Sequence, residues 1–494
     1  MGLEIDREQF ESEDYDRFRD RLERSLKVLE ALLAQSGFGI GPASLGAELE
    51  VALVDARARP LPLNEDVLRE TSDERMTVEL DRFNLECNLL PTALEGRPFA
   101  HLQREIESGL AELGRAAGRY GGRIATIGIL PTLVEGDLQS TAMTDAIRYR
   151  ALSRSLREKR EGPFRLRIDG EDPLRMECED VTFEGAATSF QVHLRVAPGD
   201  FAAVFDAAQL ATAPVLAVAA NSPTFLGHRL WEETRVALFK QAVDDRDALA
   251  RGVGRQARVS FGNDWLRGGP LQLFREAARE HPVLLPVLYD EDPEAALQEG
   301  RVPGLKEMRL HQGTVWSWNR PVYDPHAGGH VRMELRALPS GPTTGDMLAN
   351  AAFLVGLALG LAPRMEEIRA GFDFERAHHN FYRAARAGLE ARLDWPERPT
   401  SGAFAPTARS LLLELGEVAR SGLRDGGVLA EDADPLVDRV LARAESGRTA
   451  ARWQRQRLAE LEASRPRREA LVRMFEEYLD RSAGGEPVHH WGAS

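Results

Sequence analysis

Four segments of the chain carry charged or metal-binding side chains at alternate positions, the spacing that gathers them on one face of a β-strand. In SLGAELEVALVD, Glu48 and Glu50 point one way while Ala47, Leu49, Val51 and Leu53 point the other. In ATSFQVHLRV, Ser189, Gln191, His193 and Arg195 share a face opposite Phe190, Val192, Leu194 and Val196. In HVRMELRAL, His330, Arg332, Glu334 and Arg336 lie opposite Val331, Met333, Leu335 and Ala337. TVELDRFNLECNLLP adds Glu79 and Glu86, whose parity differs. They can face one site only if a turn or bulge around Asp81 to Asn84 resets the phase.

An antiparallel sheet with one solvated face shows the same alternation. Solvated faces usually mix Lys, Thr, Ser and Glu, whereas these strands repeat carboxylates at i and i+2, a Gln/His pair and a Glu flanked by two arginines. Neighbouring like charges repel unless a cation lies between them. Mg²⁺ takes one or two carboxylates, keeps waters and completes its shell with phosphates. Arginines neutralise phosphate charge as it moves to a leaving group. Alternation alone leaves a solvated face and a metal–nucleotide site both open. The sequence holds no GxxxxGK[ST], no GxGxxG after a strand, no GxSxG and no HExxH. A nucleotide would therefore lie across a sheet rather than on a glycine-rich loop.

The elements that must hold these strands follow from periodicity. Phe18, Leu22, Leu26, Leu29 and Leu33 predict an amphipathic helix over about 14–35. Helices are expected over 97–120, ending at Gly121-Gly122, then over 201–220, 229–250 and 345–362. A strand is expected in RIATIGILPT. Beyond about Arg364 the chain reads as helical, with a Pro/Thr/Ser interruption at 396–407. This divides it into an N-terminal helical segment (1–40), a mixed body (41–390) and a helical C-terminal region (391–494).

Composition bounds the partners. The 494 residues carry a formal net charge of −15, which disfavours nucleic acid or an anionic membrane surface. Lysine occurs only at positions 27, 159, 240 and 306, so arginine supplies the forked donors. Two cysteines make no disulfide framework, and neither Cys87 nor Cys178 has a paired His, so both read as core thiols. Cys87 should face the packed side of its strand. The acidic start has no apolar leader, and the apolar stretch Ala349 to Pro363 is short for a bilayer. A cytoplasmic protein acting on small molecules is the expectation, with a homo-oligomer left open.

The order GAELE, VELDRFNLE, FQVHL, RMELR resembles the glutamine synthetase-like ligases, and more narrowly glutamate–cysteine ligase family 2 and its carboxylate–amine ligase relatives. ANSP at Ala220 to Pro223, the RP of WNRP, the LP after the last strand and the FYRAARAGLEA helix with Arg383 and Arg386 add to it. It spans about 45–390. The resemblance implies an α+β fold with a glutamine synthetase-like curved antiparallel sheet and flanking helices. It implies ATP and Mg²⁺, or Mn²⁺, as cofactors. Glu48, Glu50, Glu79, Glu86 and Glu334 would be metal ligands, and His193 would contact metal or phosphate. Gln191 stands where the parent pattern carries a histidine. Arg336 would face the transferred phosphoryl group, Arg320 the phosphates or the acidic substrate, and Arg235 a substrate carboxylate. Arg332 would bind nucleotide or pair with a glutamate, and Glu79 would be the base toward the amine. The implied reaction joins a carboxylate to an amine through an acyl phosphate, with γ-glutamylcysteine as the family product. A ligase for another amine, a guanidino-kinase-like phosphotransferase and a non-catalytic nucleotide-binding protein remain alternatives.

Other residues invite plainer readings. VWSWN either walls a pocket or packs in the core. His378 and His379 read as structural, His489 and His490 as a loose tail. The arginines of the last helices, interleaved with Glu460, Glu462 and Glu469, read as ion-paired.

Overall fold

The computed structural model describes residues 5–160, 162–398 and 405–492. The interruption expected at 396–407 therefore lies partly outside the described residues, as do the first residues of the acidic start. Strands follow one another as β1 (Ser44–Val54), β2 (Met76–Val78), β3 (Asn84–Ala93), β4 (Arg123–Ala125), β5 (Phe164–Ile168), β6 (Leu174–Cys178), β7 (Phe190–Arg195), β8 (Thr224–Phe225), β9 (His228–Arg229), β10 (Asn319–Asp324) and β11 (His330–Leu335). Seven of them form one sheet, in the order β10-β11-β7-β1-β3-β2 with β4 also pairing β1. Every pairing in it is antiparallel. Strands β5–β6 and β8–β9 are separate hairpins.

Parity decides the faces. Leu49, Val51, Leu53, Phe190, Val192, Leu194, Met333 and Leu335 are all buried on the packed side. Each such side chain contributes about 1.5–3 kcal/mol relative to exposure. Cys87 is on this side too, and a methyl on Gly109 of the helix Pro98–Gly118 would meet its Sγ at 2.9 Å. Burial pushes both thiols, Cys87 and Cys178, up to about 12. They are core thiols, as expected.

The helices Ser12–Leu33, Pro98–Gly118, Phe201–Ala219 and Thr344–Leu361 match the periodicity closely. The segment 229–250 does not form one helix. It splits into β9, a helix Arg235–Ala242 and a short helix Ala248–Gly252. The strand expected in RIATIGILPT shrinks to Arg123–Ala125. Two helical stretches, Phe201–Ala219 and Thr344–Gly371, are long and apolar enough to cross a membrane, so the latter exceeds the length read from its apolar run. Both are mostly buried inside the protein, 89% and 78% of the apolar window. Their polar residues serve the core: Asn319 of β10 donates to Thr212 Oγ1 at 3.1 Å, and Gln209 donates to the Phe261 carbonyl at 2.7 Å.

The C-terminal helices Ala450–Glu462 and Arg467–Ala483 are pinned to the body through the ANSP turn. Asn221 donates to the Ser340 carbonyl and the Tyr478 hydroxyl, each at 2.8 Å, and accepts from Gln454 at 2.8 Å. Tyr478 donates in turn to the Thr126 carbonyl at 2.8 Å. Trp491 closes edge-on against Trp453 and Tyr478. The segment Val488–His490 is thus a 3-10 turn with a buried valine rather than a loose tail. Ion pairs such as Arg457–Glu477 and Arg467–Glu462 bear out the paired reading of these helices.

Candidate functional site

The polar parity of five strands converges on one sheet face. Cross-strand register sets the rows. Glu334 of β11 lies opposite His193 of β7 on one side and Arg320 of β10 on the other. Glu48 of β1 pairs with Gln191 of β7 and Asn88 of β3, and Glu50 pairs with Glu86. Glu79 joins them because β2 and β3 form a hairpin in which Thr77 is opposite Glu86. Two residues beyond Thr77, Glu79 keeps its parity, so the turn at 81–83 resets the phase as the sequence required. Thr77 Oγ1 donates to Glu86 Oε1 at 3.3 Å on this same face.

Ligand atoms of Glu48, His193 and Glu334 lie within 4.8 Å of one another. His193 Nε2 is 3.2 Å from Glu48 Oε1 and 3.6 Å from Glu334 Oε1. Glu50 is tied to β7: the Ser189 backbone N–H donates to Oε2 at 2.6 Å and Gln191 Nε2 to Oε1 at 2.9 Å. Gln191 accepts from Arg336 Nη1 at its other end. It therefore links Arg336 to Glu50 through its amide.

The arginines divide into different jobs. Arg336 lies 3.4 Å from Glu334. Arg320 turns its Nε to Glu334 and its Nη1 to the carbonyls of Gln312 and Val315, at 3.4 and 3.2 Å. Those commitments buttress Glu334 and leave Arg320 little reach toward a substrate. Arg332 bridges Asp324 Oδ2 at 2.6 Å and His193 Nδ1 at 2.8 Å. Arg235 stands apart. It is 2% exposed, pairs with the buried Glu233 at 2.8 Å and donates to the Ala337 carbonyl at 2.7 Å. Neither a substrate contact nor a helix-surface position fits; it holds the ANSP turn, where Glu233 also accepts from Asn221 N and Ser222 Oγ.

Electrostatics sorts the carboxylates. Burial works against ionisation of Glu334, but Arg320 and then Arg336 outweigh it and hold the carboxyl far below its ordinary value. Burial and then the Glu86 charge push Glu50 up to about 7. Burial and the Glu50 charge push Glu79 up to about 7. Glu86 is likewise raised well above its ordinary value, by burial and then the Glu48 charge. Such mutual repulsion is what a dication between the carboxylates relieves. The carboxylate oxygens, which outnumber the single imidazole nitrogen of His193, suit hard Mg²⁺.

Two acidic residues of this face do not figure among the candidates drawn from the sequence, for different reasons. Glu184 sits in the short helix Thr182–Gly185 just before β7; burial and then the Glu50 charge raise it to about 8. No alternation marks it in the sequence. Asp324, by contrast, shares the parity of Arg320 along NRPVYD and was legible by the rule that found the others. Of the VWSWN pair, Trp318 is core, packed on Phe239 and Phe381, and Trp316 is half-buried beside Phe239.

A pH dependence follows. Glu50, Glu79 and Glu184 have native pKa values above the ordinary 4.5. The native state then binds more protons than the unfolded state between about pH 4.5 and 8, so stability falls as pH rises through that window. A dication favours the ionised carboxylates. The rise in thermal midpoint produced by Mg²⁺ should therefore be larger at about pH 8 than at about pH 5. Equal rises at both pH values would contradict this placement of the carboxylates.

A family model described as Glutamate-cysteine ligase family 2 (GCS2) matches residues 44–477. The chain belongs to glutamate–cysteine ligase family 2. The match to this family runs beyond residue 390, where the motif resemblance stops, and takes in most of the C-terminal helices. In fold the family member is similar to the glutamate–cysteine ligase of Francisella tularensis, solved in complex with AMP. That likeness has a TM-score of 0.55 at 11% identity, over 90% of this chain and 89% of that one. A bifunctional glutathione synthetase from Pasteurella multocida overlaps with a TM-score of 0.49 at 13% identity, over 94% of this chain and 55% of that one. No curated protein matches the chain in sequence. The architecture is a mixed helix and antiparallel sheet fold, similar to that of the Francisella ligase.

Proposed function

We propose that this protein is an ATP- and Mg²⁺-dependent carboxylate–amine ligase that joins glutamate to cysteine. Family membership supports the ligase class, and the observation that carries the site is the convergence of Glu48, Glu50, Glu86 and Glu334 with His193 and Arg336 on one sheet face. In the first step a substrate carboxylate attacks the γ-phosphorus of ATP, giving an acyl phosphate and ADP. In the second the amine displaces phosphate, forming the amide. Glu48, Glu50, Glu86 and Glu334 would hold Mg²⁺, which would neutralise charge on the triphosphate.

The chain's own groups do the rest. Arg336, fixed between Gln191 and Glu334, presents the remaining edge of its guanidinium to the phosphoryl oxygens. Arg320, opposite Glu334 on β10, holds that carboxylate in place. Glu79, pushed up to about 7, is suited to take a proton from the amine near neutral pH. Because Glu79 and Glu86 sit on the same hairpin face, the base lies beside the acidic cluster rather than across the sheet from it.

The test is phosphate release from ATP, measured with pairs of carboxylate and amine substrates and followed by product mass. Release that requires glutamate and cysteine together, with a product of the dipeptide mass, is expected. Release with another pair would keep the ligase chemistry and replace the substrates. A phosphorylated guanidine without free phosphate would mean a kinase instead.

A further inference from the structure

Asp346 and Asn350 stand four residues apart on the helix Thr344–Leu361, and Arg439 and Arg443 four apart on the helix Ala430–Ser446. That spacing puts each pair on one helix face. The two helices pack together, and the 3-10 turn Val488–His490 closes over the seam between them. Asp346, Asn350 and Arg443 are 0%, 1% and 1% exposed.

Charge does not balance in this seam. Arg443 Nη2 donates to Asn350 Oδ1 at 2.7 Å and Nε to the Arg439 carbonyl at 3.5 Å, both neutral acceptors. Among the described residues no carboxylate forms an ion pair with it. Asp346 is committed elsewhere. Its Oδ2 accepts from Thr343 Oγ1 at 2.8 Å and the Val488 N–H at 3.2 Å, and its Oδ1 lies 3.9 Å from Arg439 Nη1. His489 adds no charge near neutral pH, because burial and then the His490 charge hold its imidazole below the ordinary value. Burial lowers Arg443 only to about 10, so it stays a cation at pH 7. Two guanidinium groups therefore share one carboxylate. A buried cation without a counter-charge is strongly unfavourable.

The unused donors point the same way. Asn350 Nδ2 and Arg439 Nη1 are buried, make no hydrogen bond among the described residues, and cannot accept one. A Cβ on Gly345 would meet Arg439 Nη1, so the glycine is what lets that guanidinium lie against the neighbouring helix. We propose that the seam binds one small monovalent anion of the chloride type, held by the Arg443 guanidinium, Asn350 Nδ2 and Arg439 Nη1. Its single charge matches the single excess, whereas a dianionic phosphate would overshoot it and crowd Asp346. The anion fastens the helix Ala430–Ser446 and the last turn of the chain to the core helix Thr344–Leu361. It takes no part in the chemistry of the polar sheet face.

Crystals grown with bromide in place of chloride should show an anomalous peak between Arg443 and Asn350. Thermal midpoints of the full chain in sodium chloride and in sodium gluconate of equal ionic strength give the solution arm. Chloride should raise the midpoint by roughly 2–4 °C and the rise should saturate with concentration. Asn350→Asp sets a carboxylate beside Arg443. It should abolish the chloride response and hold the midpoint in gluconate at or above that of the wild type. Arg443→Met should abolish the response as well. A bromide peak with equal wild-type midpoints in the two salts would mean an adventitious ion only and overturn the proposal. No peak at the seam would overturn it too, as would an Asn350→Asp protein that still responds to chloride or is less stable than the wild type in gluconate. No arm uses turnover, so each can fail while the ligase reading stands.

Discussion

Glu334→Gln should lower metal-dependent, amino-acid-dependent phosphate release by about a thousandfold, equivalent to roughly 4 kcal/mol of transition-state stabilisation. Glu334 is the centre of the polar face. It is 2% exposed, receives Arg320 Nε, lies 3.4 Å from Arg336 and sits across from His193. The amide keeps the shape and removes the charge that holds both guanidinium groups and a cation in one place. Circular dichroism separates a chemical loss from unfolding. Wild-type rates in a folded Glu334→Gln protein would sink the assignment of this face as the site of phosphoryl transfer.

Arg235→Met should cost about 3–5 kcal/mol of stability, measured by urea denaturation, because it leaves Glu233 as a buried charge with no cation. Glu233 is fully buried and accepts from Asn221 N at 2.8 Å and Ser222 Oγ at 2.6 Å as well as from Arg235. In the protein that remains folded, the KM for the acidic substrate should not change. A raised KM with unaltered stability would instead put Arg235 in contact with substrate.

The sequence shows the acidic strands clearly because alternation is local: residues two apart on one strand share a face whatever the rest of the fold does. Glu48, Glu50, Gln191, His193 and Glu334 were all legible in this way. Glu79 and Glu86 needed a turn that local parity could only require, and the hairpin provides it. The roles of the arginines were not legible. Arg320, Arg332, Arg336 and Arg235 look alike in a sequence, and what separates them is which partner each finds across the sheet or behind it. Glu184 escaped because a short helix carries it into the site without any periodic signature. The same limit applies to the segment 229–250, whose helical residues are cut by packing that no local pattern records.

The two apolar helices behind the sheet bear on how the chain is made. Phe201–Ala219 is covered in the finished protein largely by Thr344–Leu361, Phe374–Ala387 and Ala408–Asp425, all synthesised later. At roughly 5–20 residues per second, the first of these partners begins to be made about 6 to 25 seconds after the helix it must cover. During that interval a nearly uninterrupted apolar surface waits on the ribosome-bound chain. Slower translation lengthens the wait, and a chaperone that shields this segment would raise the yield of soluble protein.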